Sequence, residues 1–156
     1  MITEEKQRLI EEVGIRVEKK TLLSPLAARI YATLILSSED GLAFEEIVEI
    51  NNASRSSASN NLKVLVQLGF VAYYKKSGDR KRYYRCANGY VKNAIQQHRT
   101  LLAKELEIVE KINNFNKRNN PTKFDKEKNI SQVFQDYLKD EGERINKKIK
   151  EINSLL

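Results

Sequence analysis

A single histidine, His98, and a single cysteine, Cys86, are too few for a His/Cys metal cluster, and the count also excludes sensing through paired thiols. Neither residue is set up for catalysis. His98 stands among Ile95, Leu101 and Leu102, as a structural or interface histidine does, and Cys86 closes an aromatic-rich run as a small packed hydrophobe. No glycine-rich phosphate loop occurs, and no serine or cysteine comes with a base beside it. The expectation is a chain that is not an enzyme, with no catalytic residues, no metal site and no cofactor. What remains is hydrogen-bonding and cationic chemistry. Arg55-Ser56-Ser57-Ala58-Ser59-Asn60, with Lys63 beyond it, supplies donors and acceptors suited to base edges and phosphates. Asparagine matches adenine N6 and N7, arginine matches guanine O6 and N7, and serine reaches either bases or backbone. Further along, Lys75, Lys76, Arg80, Lys81 and Arg82 crowd around a short turn, where their mutual repulsion favours a polyanionic partner.

The charge is local. The 156 residues include 28 Lys and Arg against 21 Asp and Glu, a net of +7. Residues 54–92 hold nine basic groups (Arg55, Lys63, Lys75, Lys76, Arg80, Lys81, Arg82, Arg85 and Lys92) and one acid, Asp79, a net of +8. The rest of the chain therefore sums to −1. A positive field confined to one quarter of a chain is the footprint of a polyanion-binding surface. Hydrophobic residues at 40% and charged residues at 31% place the chain with globular rather than disordered proteins. The longest charge-free stretches, such as residues 30–38, are about half of what a membrane-spanning helix needs. Early glutamates and the lack of an apolar leader speak against a secretory signal, and the lone cysteine suits a reducing compartment, so a cytoplasmic location without membrane partners is expected.

The scaffold for these residues follows from hydrophobic spacing. Thr3 can cap a first helix over residues 3–20, which Gly14 should weaken modestly. Ser24-Pro25 is a capping hydroxyl followed by a proline at the first helical position, and Leu26, Ala27, Ile30, Tyr31, Leu34 and Ile35 then predict a largely buried helix over 25–37. Leu42-Ala43 suits a very short strand. Phe44, Ile47 and Val48 form the inner stripe of a short helix that ends at Asn51-Asn52, with Glu45, Glu46 and Glu49 facing outward. Ser54 caps the next helix, whose inner stripe is Ala58, Leu62, Leu65 and Val66 and which closes at Leu68-Gly69. Two short helices on a tight turn make a helix-turn-helix. The runs 70–75 and 82–86, around Ser77-Gly78-Asp79, then predict a β-hairpin with a basic tip, a wing. Asp79 is expected to orient a neighbouring arginine, and Arg80 to enter a minor groove.

Residues 90–113 return to helix, 113–129 read as a polar linker rich in asparagine and lysine, and the last helix is expected from about Ile130. In it Leu138, Gly142, Ile145, Ile149, Ile152 and Leu156 make a coiled-coil-like seam. The predicted fold is mainly α with a small β-hairpin. A winged helix-turn-helix domain with flanking helices takes residues 1–112, the linker 113–129, and a dimerisation helix 130–156.

Three segments carry a family resemblance. Ser24-Pro25-Leu26-Ala27-Ala28-Arg29-Ile30-Tyr31, Ala53-Ser54-Arg55-Ser56-Ser57-Ala58-Ser59-Asn60-Asn61-Leu62 and Gly78-Asp79-Arg80-Lys81-Arg82-Tyr83-Tyr84 resemble successive signatures of MarR-type winged-helix regulators, and the first and third are most similar to the GbsR-like branch. The likeness covers roughly residues 5 to 112. It implies a homodimeric cytoplasmic repressor on a pseudo-palindromic double-stranded DNA operator, with the terminal helices of two subunits interleaved as the dimerisation region. The expected DNA-binding residues are Arg55, Ser56, Ser57, Ser59, Asn60, Lys63, Lys76, Arg80, Lys81 and Arg82. Some GbsR-like proteins control choline uptake or glycine betaine synthesis, so choline is an effector by analogy only, and the residues of an effector site stay unassigned. A winged-helix module for protein contacts, using the acidic 44–51 helix and the terminal seam, is the competing reading, but it has no need of a +8 region.

Overall fold

The computed structural model describes residues 2–38 and 40–156. They form α1 (Glu4–Lys20), α2 (Pro25–Ile35), β1 (Leu42–Ala43), α3 (Phe44–Ile50), α4 (Arg55–Gln67), β2 (Val71–Tyr74), β3 (Tyr83–Cys86), α5 (Tyr90–Asn119) and α6 (Pro121–Ser154). The chain divides into two compact units, the first ending at Tyr90 and the second beginning at Val91.

In the first unit the helix starts are built as the sequence predicts. The hydroxyl of Thr3 accepts from Lys6 N–H at 3.2 Å, that of Ser24 from Ala27 N–H at 3.1 Å, and that of Ser54 from Ser57 N–H at 3.1 Å. The helix α3 has no capping hydroxyl; the Glu46 carboxylate instead accepts from the Ala43 N–H at 2.7 Å. The core is the inner face of α2 (Ala27, Ile30, Tyr31, Leu34) packed against Phe44 and Ile47 of α3, Ala58, Leu62 and Leu65 of α4, and Val71 and Tyr84 of the sheet. Val66 departs from expectation. It is 38% exposed, because Leu62 and Leu65 already fill the interior side of α4 and Val66 falls beside them on its flank. Gly14 sits where α1 crosses α2, and a Cβ there would come within 3.0 Å of Arg29 Cγ. The modest helix cost of this glycine therefore permits a close approach of two helices.

The strands form one antiparallel sheet in the order β1-β3-β2. Val71 pairs with Cys86 and Tyr74 with Tyr83, while β1 adds Leu42 opposite Tyr84 and Ala43 opposite Tyr83. The Phe44 N–H continues this edge by donating to the Arg82 carbonyl at 2.9 Å. The wing is thus tied directly to the start of α3. Gly41, at φ 68°, passes so close to the Tyr84 carbonyl that a side chain would overlap it.

The second unit is a helical hairpin. Residues 113–129, read from composition as a linker, are helical apart from Asn120: α5 runs on to Asn119 and α6 starts at Pro121, nine residues before Ile130. Lysine is a good helix former and asparagine only a modestly poor one, and Pro121 occupies the first turn, where a missing N–H costs nothing. The turnover is clamped by the Ser131 hydroxyl donating to Asn113 Oδ1 at 2.8 Å. Leu102 and Leu106 of α5 face Leu138 and Gly142 of α6 across a groove of about 580 Å³. Leu138 and Ile149 of the predicted seam are buried, whereas Leu101, Ile108, Ile112 and Phe115 on α5 and Ile130, Val133, Phe134 and Tyr137 on α6 are exposed. No helix among the described residues is long and apolar enough to cross a membrane.

Candidate nucleic-acid interface

The tight turn between α3 and α4 aims α4 outward. Asn51 is buried, donates through Nδ2 to the Ile47 carbonyl at 3.0 Å, and lies 3.4 Å from the buried Thr33 hydroxyl of α2. Asn52 follows at φ 46°, a left-handed conformation that asparagine tolerates. A second tie holds α4 to α2: the Ser24 hydroxyl donates to Asn61 Oδ1 at 2.6 Å, and Asn61 Nδ2 donates to the Ser57 carbonyl at 2.8 Å. With Ala58, Leu62 and Leu65 inside, Arg55, Ser56, Ser57, Asn60 and Lys63 stand exposed and Ser59 half-buried on the opposite side. All six expected α4 residues therefore share the outer face or its N-terminal end. The free N–H groups of the first turn add a partial positive charge there.

The wing carries the rest. Lys75, Lys76, Arg80, Lys81 and Arg82 are all exposed along the β2–β3 connection. The tip is ordered by Asp79, though not in the way the sequence suggested. Its carboxylate accepts from the Lys81 N–H at 2.9 Å and from the Tyr83 hydroxyl at 2.6 Å, and no arginine is its partner among the described residues. A carboxylate two residues before a free N–H closes a local turn, which leaves no oxygen aimed at Arg80. These bonds hold the Asp79 carboxyl below its ordinary value, the Tyr83 hydroxyl contributing most and the Lys81 N–H next. The same hydrogen bond, aided by partial burial, pushes the Tyr83 phenol up to about 12. Lys76 Nζ lies 4.3 Å from the centre of the Tyr83 ring, so one tyrosine organises the tip through its hydroxyl and its face.

Two residues that sequence spacing did not flag bear on this surface. Phe44, almost fully buried, has the Arg55 guanidinium 5.1 Å and the Arg82 guanidinium 4.9 Å from its ring centre. Glu45 pairs with Arg55 at 3.4 Å, an exposed contact that water and salt weaken. Both partners are distant in sequence from the cations they touch, so periodicity has no means of finding them. Elsewhere, Cys86 sits with Sγ 3.9 Å from the Tyr31 hydroxyl, and burial pushes its thiol up, which keeps it protonated and unreactive near neutral pH. His98 is exposed on α5. No group of three metal-ligating side chains occurs among the described residues.

Comparison with known proteins locates this geometry. Residues 22–74 match the family model described as a helix-turn-helix domain. Over 76 residues the chain is 30% identical to HTH-type transcriptional regulator MmpR5 of Mycobacterium tuberculosis, a match to 49% of this chain and 46% of that protein. The chain thus spans less than half the length of this relative. A solved structure described as a transcriptional regulator superposes with a TM-score of 0.66 at 18% identity, over 96% of this chain and 99% of the other. What the chain shares with these proteins is a winged helix-turn-helix fold, in which residues 22–74 are the helix-turn-helix domain.

Proposed function

We propose that the protein is a sequence-specific, double-stranded-DNA-binding transcriptional regulator, a cytoplasmic homodimeric repressor whose operator affinity is set by a small-molecule effector. The observation that carries this reading is the coincidence of fold and charge. The outer face of α4 and the wing, the two parts of such a domain that are free to reach a duplex, hold eight of the chain's cations within residues 54–86 against a single acid. That acid, Asp79, is turned inward on the wing itself. The regulator function named for the partial relative supports the same reading, as does the resemblance of the three motifs to the GbsR-like branch of MarR-type proteins.

In this reading Arg55, Asn60 and Lys63 meet base edges in the major groove, Ser56, Ser57 and Ser59 meet bases or phosphates, and Lys76, Arg80, Lys81 and Arg82 take the flanking backbone and minor groove. The two exposed apolar rows on α5 and α6 support a dimer, since they make too large an uncovered surface for a lone molecule. A dimer with two α4 helices about 34 Å apart reads half-sites one helical turn apart, hence a pseudo-palindromic operator. An effector acts only by its differential affinity for two subunit spacings.

The test is retention of labelled random-sequence duplex by the full chain across a salt series. Retention in dilute buffer with a steep loss on adding salt is expected. A molecule that never retains duplex refutes the reading and leaves the protein-contact alternative. Selection of bound fragments from the source genome would then name the operator.

A further inference from the structure

We propose that Phe44 is a positioning residue for the nucleic-acid surface: its buried ring engages the guanidiniums of both Arg55 and Arg82, so that the first turn of α4 and the base of the wing strand are presented as one surface. The inference rests on the DNA-binding reading above.

Three elements converge on this residue. Phe44 opens α3, and its ring is 2% exposed among the core residues that also fix Ile47 and Leu62. Its N–H donates to the Arg82 carbonyl at 2.9 Å, while its ring takes the Arg82 guanidinium at 4.9 Å. The wing strand is therefore held to this one residue through both backbone and side chain. From the other side comes Arg55, the first residue of α4 after the Ser54 cap, with its guanidinium 5.1 Å from the same ring centre.

Stacking suits this task because of how a guanidinium is built. Its flat face can lie against a ring while its five N–H donors, which lie in its own plane, stay free to bond elsewhere. The side chains of Arg55 and Arg82 remain exposed in this arrangement, so their donors stay available to a phosphate or a base. Two free arginines would otherwise separate by repulsion and would each lose rotamer freedom on binding. A shared ring sets that order beforehand. Glu45, 3.4 Å from Arg55, adds a partial counter-charge.

Fluorescence anisotropy of a labelled random-sequence duplex, at low salt and with the full chain, tests the idea. Phe44→Leu keeps an apolar core residue and removes the π-face; a loss of about fivefold in affinity is expected from two exposed cation–ring contacts. Phe44→Tyr retains the ring and should recover most of that loss. In the Phe44→Leu background, Arg55→Gln and Arg82→Gln should each cost clearly less than they cost alone. A folded Phe44→Leu variant that binds like wild type, or arginine losses that multiply independently of it, would overturn the proposal. Should Phe44→Leu fail to fold, NMR of the wild-type chain decides: ring-current displacement of both Arg55 and Arg82 Hδ signals is expected, and its absence overturns the platform. Wild-type protein that ignores duplex altogether overturns the DNA role through the underlying reading, and the displaced Hδ signals separate that outcome from failure of the platform itself.

Discussion

Arg80 at the wing tip gives a prediction with a calculable size. It is exposed, and the one nearby carboxylate, Asp79, is engaged by the Lys81 N–H and the Tyr83 hydroxyl. Its charge is therefore poised for an external anion. Each phosphate neutralised on B-DNA contributes about 0.9 to the slope of log affinity against log salt. The exposed face offers Arg55, Lys63, Lys76, Arg80, Lys81 and Arg82 in each protomer. If the four wing cations among them meet phosphate, the slope is about −3.6 per protomer, and raising salt fourfold weakens binding by about 10². Arg80→Ala removes one such contact, so its slope should be shallower by about 0.9 and its fourfold-salt loss smaller by a factor of about 3.5. The variant binds more weakly at low salt, and the two curves converge as salt rises. Anisotropy titrations of random-sequence duplex at four or five salt concentrations measure this, with a melting curve to show the fold intact. Coincident curves would remove the wing tip from the interface, and parallel ones would show that whatever Arg80 contributes is not charge.

Reading of sequence by α4 is checked at Asn60 and Lys63, which are exposed on its outer face. Alanine at either should cost about tenfold or more on the selected operator, at about 1–3 kcal/mol per good base contact, and Asn60→Ala should cost far less on random duplex; equal affinity for the operator would mean another face does the reading. The wing-tip hydrogen bond is checked by NMR titration of the Tyr83 ring. Its phenol, raised to about 12 by Asp79, should titrate there in wild type and move back toward the ordinary 10.0 in Asp79→Asn. The signs follow from the two directions: the raised phenol supports the tip below pH 10 and fades toward 12, while the lowered carboxylate supports it above 3.8 and fades as pH falls further. An Asp79→Asn variant whose Tyr83 titration is unmoved would break that assignment. For assembly, Phe134→Glu combined with Ile108→Glu alters exposed positions on both helices of the hairpin. Sedimentation should find a wild-type dimer and a dissociated variant that remains helical; an undisturbed dimer would put the interface elsewhere.

Much of the first unit was legible in the residues, because its signals are local. Ser24-Pro25 and Ser54 declared two helix starts, Asn51-Asn52 a turn, and the change of period at Phe70 a sheet, and each is where a short stretch alone determines the outcome. Three readings failed for physical reasons. Val66 was assigned inward from spacing, but a helix of this length has room inside for only one row at its C-terminal end, already taken by Leu62 and Leu65. The composition of residues 113–129, rich in asparagine and lysine and holding Pro121, reads as a linker, yet lysine favours helix, and a hairpin with a clamp between Ser131 and Asn113 outweighs the cost of each asparagine, on the order of a few tenths of a kcal/mol. Repulsion by phosphate predicts that Asp79 turns from DNA toward a neighbouring arginine, whereas the backbone N–H of Lys81 and the Tyr83 hydroxyl are its partners in the turn.

That last case bears on why the cations are arranged as they are. A basic tip standing alone would be disordered by its own repulsion, and a disordered tip would bind any polyanion at a high entropic cost. Here the carboxylate that would most oppose phosphate is engaged inside the turn, and four of the cations lie against aromatic rings: Lys76 on Tyr83, Arg55 and Arg82 on Phe44, and Arg85 on Tyr74. Aromatic rings attract a cation without neutralising it, so the positive field survives while the side chains lose freedom in advance. The exposed Arg55–Glu45 pair orders its arginine too, but an ion pair does so by cancelling part of the charge that the surface needs. The aromatic residues of this domain therefore do more than fill a core; they reconcile a rigid surface with a strongly charged one.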